Sequence, residues 1–299
     1  MDDDFKKNAL AAGKLAGEAL LYGKTLIKPD VKIVDILDSV ESFIQEKGGF
    51  PAFPSQISVN TIAAHQCSAL DDDSIVKESD VIKLDVGVHI NGYIGDNALT
   101  VNLNNEYKEL VEASKKALKN VSTMFTPGTP VGEIGGVIQD TIIDMGFSPV
   151  KNLSGHGLGY FNIHTCPSIP NVRLDNSNVL EENMHVACEP FATNGKGAIA
   201  EGGSPTVFTL QVPRPVRSPI AREVLQKIKT YDGLPFASRW LEREFGAGKT
   251  RLALMELQKN GSLIAHPPLR EIGKGMVSQH EHSFIVGDKP IITTKIDDE

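Results

Sequence analysis

Apolar residues recur along this chain at two different spacings, and the changes of period divide it. Over 5–27, Leu10, Leu15, Leu20 and Leu21 stand among alanines and lysines, an amphipathic pattern that predicts a helix closed by Pro29. Ile33, Ile36, Leu37, Val40 and Ile44 form one helical stripe, so a second helix is expected over 31–47, ending at Gly48-Gly49. From 52 to 101 the apolar runs shorten and are broken by Pro, Asn, Gly and Asp, which predicts strands and turns. Helical spacing returns over 106–124. Thr129-Pro130 then reads as an N-cap followed by proline at the first helical position, opening a helix that runs to about 145. Strands and loops are expected over 147–210. Pro213, Pro215 and Pro219 lead into three helix-like pieces, 221–230, 238–245 and 249–259, before Pro267-Pro268, and strand texture resumes over 276–286. Blocks of helix and of strand, rather than strict alternation, predict an α+β fold with 212–275 as a helical insertion.

The strongest local signal is VIKLDVGVHINGYIGDNALTV, residues 81–101. Asn91-Gly92 between two alternating runs predicts a hairpin, because both residues tolerate positive φ. A two-residue turn pairs Ile90 with Tyr93, Gly87 with Asp96 and Asp85 with Ala98. One face then carries Ile82, Leu84, Val86, Val88 and Ile90, and the other carries both aspartates. As diagonal neighbours about 7 Å apart, they repel unless a cation lies between them, and Gly87 would leave room for one. Two solvated aspartates on an exposed face are the other reading of the hairpin alone.

Further polar groups interrupt apolar or glycine-rich runs. His156 sits in Ser154-Gly155-His156-Gly157-Leu158-Gly159, and His164 follows at an even offset that an unbroken strand would return to the same side. Glu189 lies in His185-Val186-Ala187-Cys188-Glu189-Pro190, and Glu281 in Gln279-His280-Glu281-His282-Ser283. Such carboxylates are costly to bury without a metal or a counter-charge. Two apparent motifs fail. His280-Glu281-His282 lacks the helical spacing of a zinc HExxH, and Gly246-Ala247-Gly248-Lys249-Thr250 has Arg243 where a phosphate loop needs its first glycine.

Composition narrows the class. The 299 residues are 40% hydrophobic and 23% charged, which excludes wholesale disorder, a collagen-like fibre and a coiled-coil rod. With 30 Lys+Arg against 38 Asp+Glu the net charge is −8, poorly suited to DNA binding. Cys67, Cys166 and Cys188 are an odd number with no CxxC pair, so a reducing compartment is expected. The acidic start Met1-Asp2-Asp3-Asp4 is unlike a secretory signal, and no apolar run approaches the ~18 residues of a membrane span. A cytoplasmic protein without a membrane partner is the expectation.

Asp85 in LDVGVHINGYIGD, Asp96 eleven residues on, His156 in SGHGLG, Glu189 in CEPFAT and Glu281 in SQHEHS form an ordered set that resembles the metal ligands of the type II methionine aminopeptidases, in their short archaeal form. The resemblance runs over essentially the whole chain. It implies the pita-bread fold, with 1–299 as one catalytic domain and 212–275 as its helical insertion. It also implies two divalent metal ions (Co, Mn, Fe or Zn), with Asp96 and Glu281 bridging, Asp85 on one ion and His156 with Glu189 on the other. By the same resemblance Glu189 is the general base, and His65 in Ala63-Ala64-His65 and His164 contact the substrate and its intermediate. Phe53 and Ile163 line the methionine pocket. His266 stands where relatives often carry tyrosine, and Cys188 where an aliphatic residue is usual. The implied activity is removal of the N-terminal methionine of nascent polypeptides with a small second residue, by a monomer with transient ribosome contact. An X-Pro metallopeptidase of the same fold and a non-catalytic binding homologue are the alternatives.

Overall fold

The computed structural model describes residues 3–175 and 178–295, so Met1 and Asp2 of the acidic start lie outside the described residues. The chain opens with two helices, α1 (Asp3–Leu26) and α2 (Ile33–Glu46). Three short strands follow, β1 (Phe50–Pro51), β2 (Gln56–Val59) and β3 (Ile62–Ala64), and then the long hairpin β4 (Val81–Ile90) and β5 (Tyr93–Asn102). The turn takes the expected two-residue form, with φ 51° at Asn91 and 83° at Gly92. Pairing runs from Ile90 opposite Tyr93 to Val81 opposite Asn102, setting Asp85 against Ala98 and Asp96 against Gly87. β4 also pairs with β1 and β2.

Both faces of this hairpin are buried, which removes the exposed-sheet reading of the aspartates. Ile82, Leu84, Val86 and Val88 share a core with Ile36, Leu37, Val40 and Ile44 of α2. Helix α1 presents Ala9, Ala12, Ala16 and Ala19, all buried, and so approaches the sheet closely. At the closest point a Cβ on Gly95 would lie 2.4 Å from Gly13 Cα, where a side chain has no room. On the opposite face Lys83 is fully buried, and its ammonium donates to the Asn60 carbonyl at 3.0 Å.

The second half supplies α3 (Lys108–Val121), α4 (Val131–Asp144), β6 (Ser148–Pro149), β7 (Ser154–Gly159), β8 (Asn162–Pro170), β9 (His185–Cys188), β10 (Phe191–Thr193) and β11 (Ile199–Glu201). α4 begins one residue later than expected. Pro130 is its N-cap, held extended by a bridge to Val179, and the Val131 N–H donates to the Asn178 carbonyl at 3.0 Å. A backbone partner replaces the side-chain cap expected of Thr129, whose hydroxyl bonds Thr126.

Then come β12 (Val207–Leu210), α5 (Pro219–Lys229), β13 (Phe236–Ala237), α6 (Ser238–Phe245), α7 (Ala247–Lys259), β14 (Leu263–His266), β15 (Leu269–Glu271), β16 (Val277–Gln279), β17 (His282–Ile285) and β18 (Ile291–Ile292). Residues 212–275 contain the three expected helices, which pack around Phe208 and Phe236 in a core of their own. They also contain strands. β13 and β14 flank β12, and β15 pairs with β11 and β3, so the segment is stitched into the sheets at both ends. The run 276–286 is two strands rather than one. β16 pairs with β10, whereas β17 joins the sheet β18-β17-β9-β7-β8, and the chain changes sheets at His280-Glu281. No described helix is long and apolar enough to cross a membrane.

Gly95→Ala places its methyl against helix backbone that cannot yield without shifting α1. It is expected to cost about 1–3 kcal/mol, read as a lower urea midpoint at unchanged m-value. An unchanged midpoint would show that α1 can lift off the hairpin freely.

Candidate metal centre

The hairpin register brings Asp85 and Asp96 to one side of β4 and β5, and two long-range contacts add Glu281. The Glu281 N–H donates to the Ala98 carbonyl at 2.9 Å, and Ala98 faces Asp85 across the hairpin. Ser283 holds Asp96 twice, accepting from its N–H at 3.0 Å and donating to its carbonyl at 2.8 Å. His156 arrives on β7, which pairs with β9, and Glu189 follows the last residue of β9. All five predicted ligand positions line one pocket of about 240 Å³. His65, His164, Phe53, Ile163 and His266 line it too.

Among the described residues, no lysine or arginine forms an ion pair with Asp85, Asp96, Glu189 or Glu281. Asp85 Oδ1 and Asp96 Oδ1 are buried with no hydrogen-bond partner. Burial pushes the Asp85 carboxyl up to about 7. Burial first, and repulsion from the neighbouring acids second, holds Asp96, Glu189 and Glu281 well above the usual carboxylate range. His156 is pushed the other way, down to about 3, by burial and then by His164, so its ring is neutral with a lone pair to give. His156 Nε2 stands 3.8 Å from Asp96 Oδ2 and 3.9 Å from Glu189 Oε1, too far for hydrogen bonds. Ligand atoms of Asp96, His156 and Glu281 all lie within 4.8 Å of one another. Orphaned oxygens, clustered acids and a neutral imidazole together fit a hard or borderline divalent cation.

Two details differ from the sequence reading. Gly87 leaves room for a ring rather than an ion, since a Cβ there would fall 2.1 Å from Phe53 Cε1. His156 and His164 do meet, with ring centroids 4.3 Å apart edge-to-face, but across the β7–β8 hairpin rather than along one strand. The turn at Tyr160-Phe161 breaks the even offset. The glycines flanking His156 admit neighbouring strands, for a Cβ on Gly155 would lie 2.2 Å from the Ala187 carbonyl oxygen. His280 and His282 turn away, bonding Ser114 and Thr294, each at 2.9 Å.

Four residues were missed. Gln279 Nε2 donates to Glu189 Oε2 at 3.2 Å and to Glu281 Oε2 at 3.3 Å, orienting two of the acids. Its place two residues before Glu281 was the available signal. Gln56 accepts the His65 N–H at 2.8 Å, which steadies that residue in its left-handed backbone at φ 63°. Pro235 lines the pocket, and Leu234 packs with Phe53 and Ile163 behind it; both come from the 212–275 segment.

Residues 7–208 match the family described as metallopeptidase family M24. The chain belongs to that family. It is 44% identical to the methionine aminopeptidase of Archaeoglobus fulgidus over 99% of this chain and 100% of that one. To the methionine aminopeptidase of Thermococcus onnurineus it is 42% identical over 95% and 97%. Among solved structures, a methionine aminopeptidase from Thermotoga maritima superimposes with a TM-score of 0.72 at 22% identity over 99% of this chain and 98% of that one. A thermophilic Arx1 does so with 0.86 at 14% over 100% and 95%. At those identities the superpositions speak for the shared fold alone, which is the pita-bread fold of the family.

Carboxyls whose pKa is raised by folding favour the native state below their ordinary pKa and cost stability as pH rises through the raised value. In metal-free protein, Asp96→Asn is therefore expected to unfold at a higher temperature than the parent near about pH 8, with the gap closing below about pH 4. Adding Mn²⁺ should raise the parent's unfolding temperature and leave the variant's unmoved. A variant less stable than the metal-free parent at the higher pH would contradict the repulsion described above.

Proposed function

We propose that the chain is a metal-dependent methionine aminopeptidase of type II kind, removing the first residue from polypeptides that begin with methionine followed by a small residue. The observation that carries the reading is the convergence of the ten side chains named from the sequence on one small pocket in a member of family M24. Asp85, Asp96, His156, Glu189 and Glu281 would hold two divalent ions, and their four negative charges match two such cations. When bound, the ions neutralise the acids, lower the pKa of water in the cleft and polarise the carbonyl of the first peptide bond.

The chain's own groups account for the remaining steps. Gln279 occupies Glu189 Oε2, so Oε1 is the oxygen free to take a proton from the hydrolytic water and return it to the leaving amine. Burial, then His266 and His164, depresses the His65 pKa to about 4, which keeps that ring neutral above about pH 5. A neutral ring can donate an N–H to the substrate without adding positive charge beside the cations. His164, its ring centroid 4.3 Å from that of His156, would donate to the oxygen that becomes negative during attack. Phe53 and Ile163, both buried, offer an apolar slot to an unbranched thioether side chain. His266 is fixed at the pocket wall by Thr209, 2.8 Å from its Nε2.

The end of the family match at 208 and the separate core of the helices support reading 1–299 as one catalytic domain with 212–275 inserted. Co, Mn, Fe and Zn all suit a site of this composition. On this reading the substrates are nascent cytoplasmic chains, met by a monomer in transient contact with the ribosome.

Metal-free protein supplied with Co²⁺ or Mn²⁺ is expected to release methionine from Met-Ala-Ser. No release under any divalent metal would contradict the enzyme reading. His65→Ala should bind metal as the parent does and lose turnover by about 10²-fold or more. Loss of metal in that variant would place His65 among the ligands instead.

A further inference from the structure

Away from the pocket, the inserted helices meet α2 through a buried pair of opposite charges. Glu41 of α2 is 6% exposed and Arg239 of α6 is fully buried, an uncommon placement for either residue. Glu41 Oε1 accepts from the Arg239 guanidinium and from the Ser55 N–H at 3.1 Å, while Oε2 accepts the Trp240 indole N–H at 2.7 Å. Arg239 also donates from Nη1 to Cys67 Sγ at 2.7 Å and from Nε to Asp38 Oδ1 at 3.3 Å. Cys67 in turn receives the Thr206 hydroxyl on its carbonyl at 2.6 Å, and the Thr206 carbonyl accepts from the Ser238 N–H at 2.8 Å.

Each bonded segment delivers a pocket residue close by. Ser55 lies two residues after Phe53, Cys67 two after His65, and Arg239 four after Pro235. Two of these segments are twelve residues apart and the third lies 172 residues beyond Cys67, and all three join at this pair. A buried ion pair is weak as a source of stability, because an apolar pair of similar volume packs as well or better. Directional bonds to the Ser55 backbone and to the Cys67 and Trp240 side chains are what the charges add.

We propose that Glu41 and Arg239 are positioning residues for the reaction, holding Phe53, His65 and Pro235 in mutual register and thereby setting how well the pocket selects methionine over other apolar first residues. The inference rests on the aminopeptidase reading for its substrate. Glu41→Gln keeps the size but turns an amide N–H toward one of the surrounding donors. Trp240→Phe removes one donor and keeps an aromatic ring. Glu41→Met with Arg239→Met replaces the pair by apolar side chains.

The experiment measures kcat and KM on Met-Ala-Ser and Leu-Ala-Ser, calorimetric binding of free L-methionine and L-leucine, Mn²⁺ affinity and unfolding temperature. In Glu41→Gln the KM for Met-Ala-Ser is expected to rise and the methionine-over-leucine preference to fall, each about tenfold, the size of a one-methylene misfit. Its Mn²⁺ affinity should stay within about twofold of the parent's, and its kcat on Met-Ala-Ser should fall by about twofold or more as His65 shifts with the pocket. The double variant should recover the unfolding temperature without recovering the preference, and Trp240→Phe should shift the preference in the same direction by less.

A double variant with parental KM and preference would overturn the proposal, leaving the pair a purely structural one. Unchanged preference in Trp240→Phe would do the same should Glu41→Gln fail to fold. Parent protein that binds Mn²⁺ but releases no methionine contradicts the aminopeptidase reading alone, and the L-methionine over L-leucine binding ratio then decides the positioning role.

Discussion

Four carboxyl groups are held together where water cannot reach them freely and, among the described residues, no lysine or arginine pairs with them. Their repulsion is the constraint around which the architecture is arranged. Left to themselves they would separate or take up protons, and their raised pKa values record that tendency. The backbone prevents separation. The tight Asn91-Gly92 turn locks the register of β4 and β5, Ser283 grips Asp96 from both sides, and the bridge between Ala98 and Glu281 draws the third acid onto the hairpin. The two ligand-bearing hairpins also touch at their turns, where the Phe161 N–H donates to the Gly92 carbonyl at 2.8 Å. Local instability of this kind is the usual mark of a site built for a ligand.

What was legible in the sequence was what depends on neighbours in the chain. Turn chemistry and a period of two are local rules, so the pairing of Asp85 with Ala98 and of Asp96 with Gly87 could be read directly. That Asp85, Asp96, His156, Glu189 and Glu281 deserved notice was readable because carboxylates and a histidine interrupt runs that otherwise favour burial, and they do share one pocket. Relations set by partners distant in sequence were not readable. Gly87 looked like space for an ion because nothing local shows that the Phe53 ring fills it. His164 reaches His156 only through a hairpin whose turn, Tyr160-Phe161, lacks the usual glycine or asparagine signature. The break at His280-Glu281, where the chain leaves one sheet for another, lies within an uninterrupted strand-like pattern. The cap of α4 follows the same logic, since its donor is satisfied by Asn178 from a later loop.

The pocket divides its chemistry cleanly between two walls. One is acidic and demands cations; the other is apolar, built by Phe53 and Ile163 with Pro235 from the 212–275 segment. Neutral histidines stand between them, and their depressed pKa values follow from the same enclosure that raises those of the acids. A substrate with an amino terminus and an apolar first side chain satisfies both walls at once. The helical segment is thus more than an appendage, because it supplies Pro235 to the apolar wall.

The central claim is that the acids cluster because they hold two cations. Calorimetric titration of Mn²⁺ into metal-free protein, repeated in buffers of different ionisation enthalpy, measures ion stoichiometry and proton release together. The account predicts two ions per chain, with protons released on binding and affinity rising with pH. One ion or none, or binding that releases no protons near neutral pH, would contradict it.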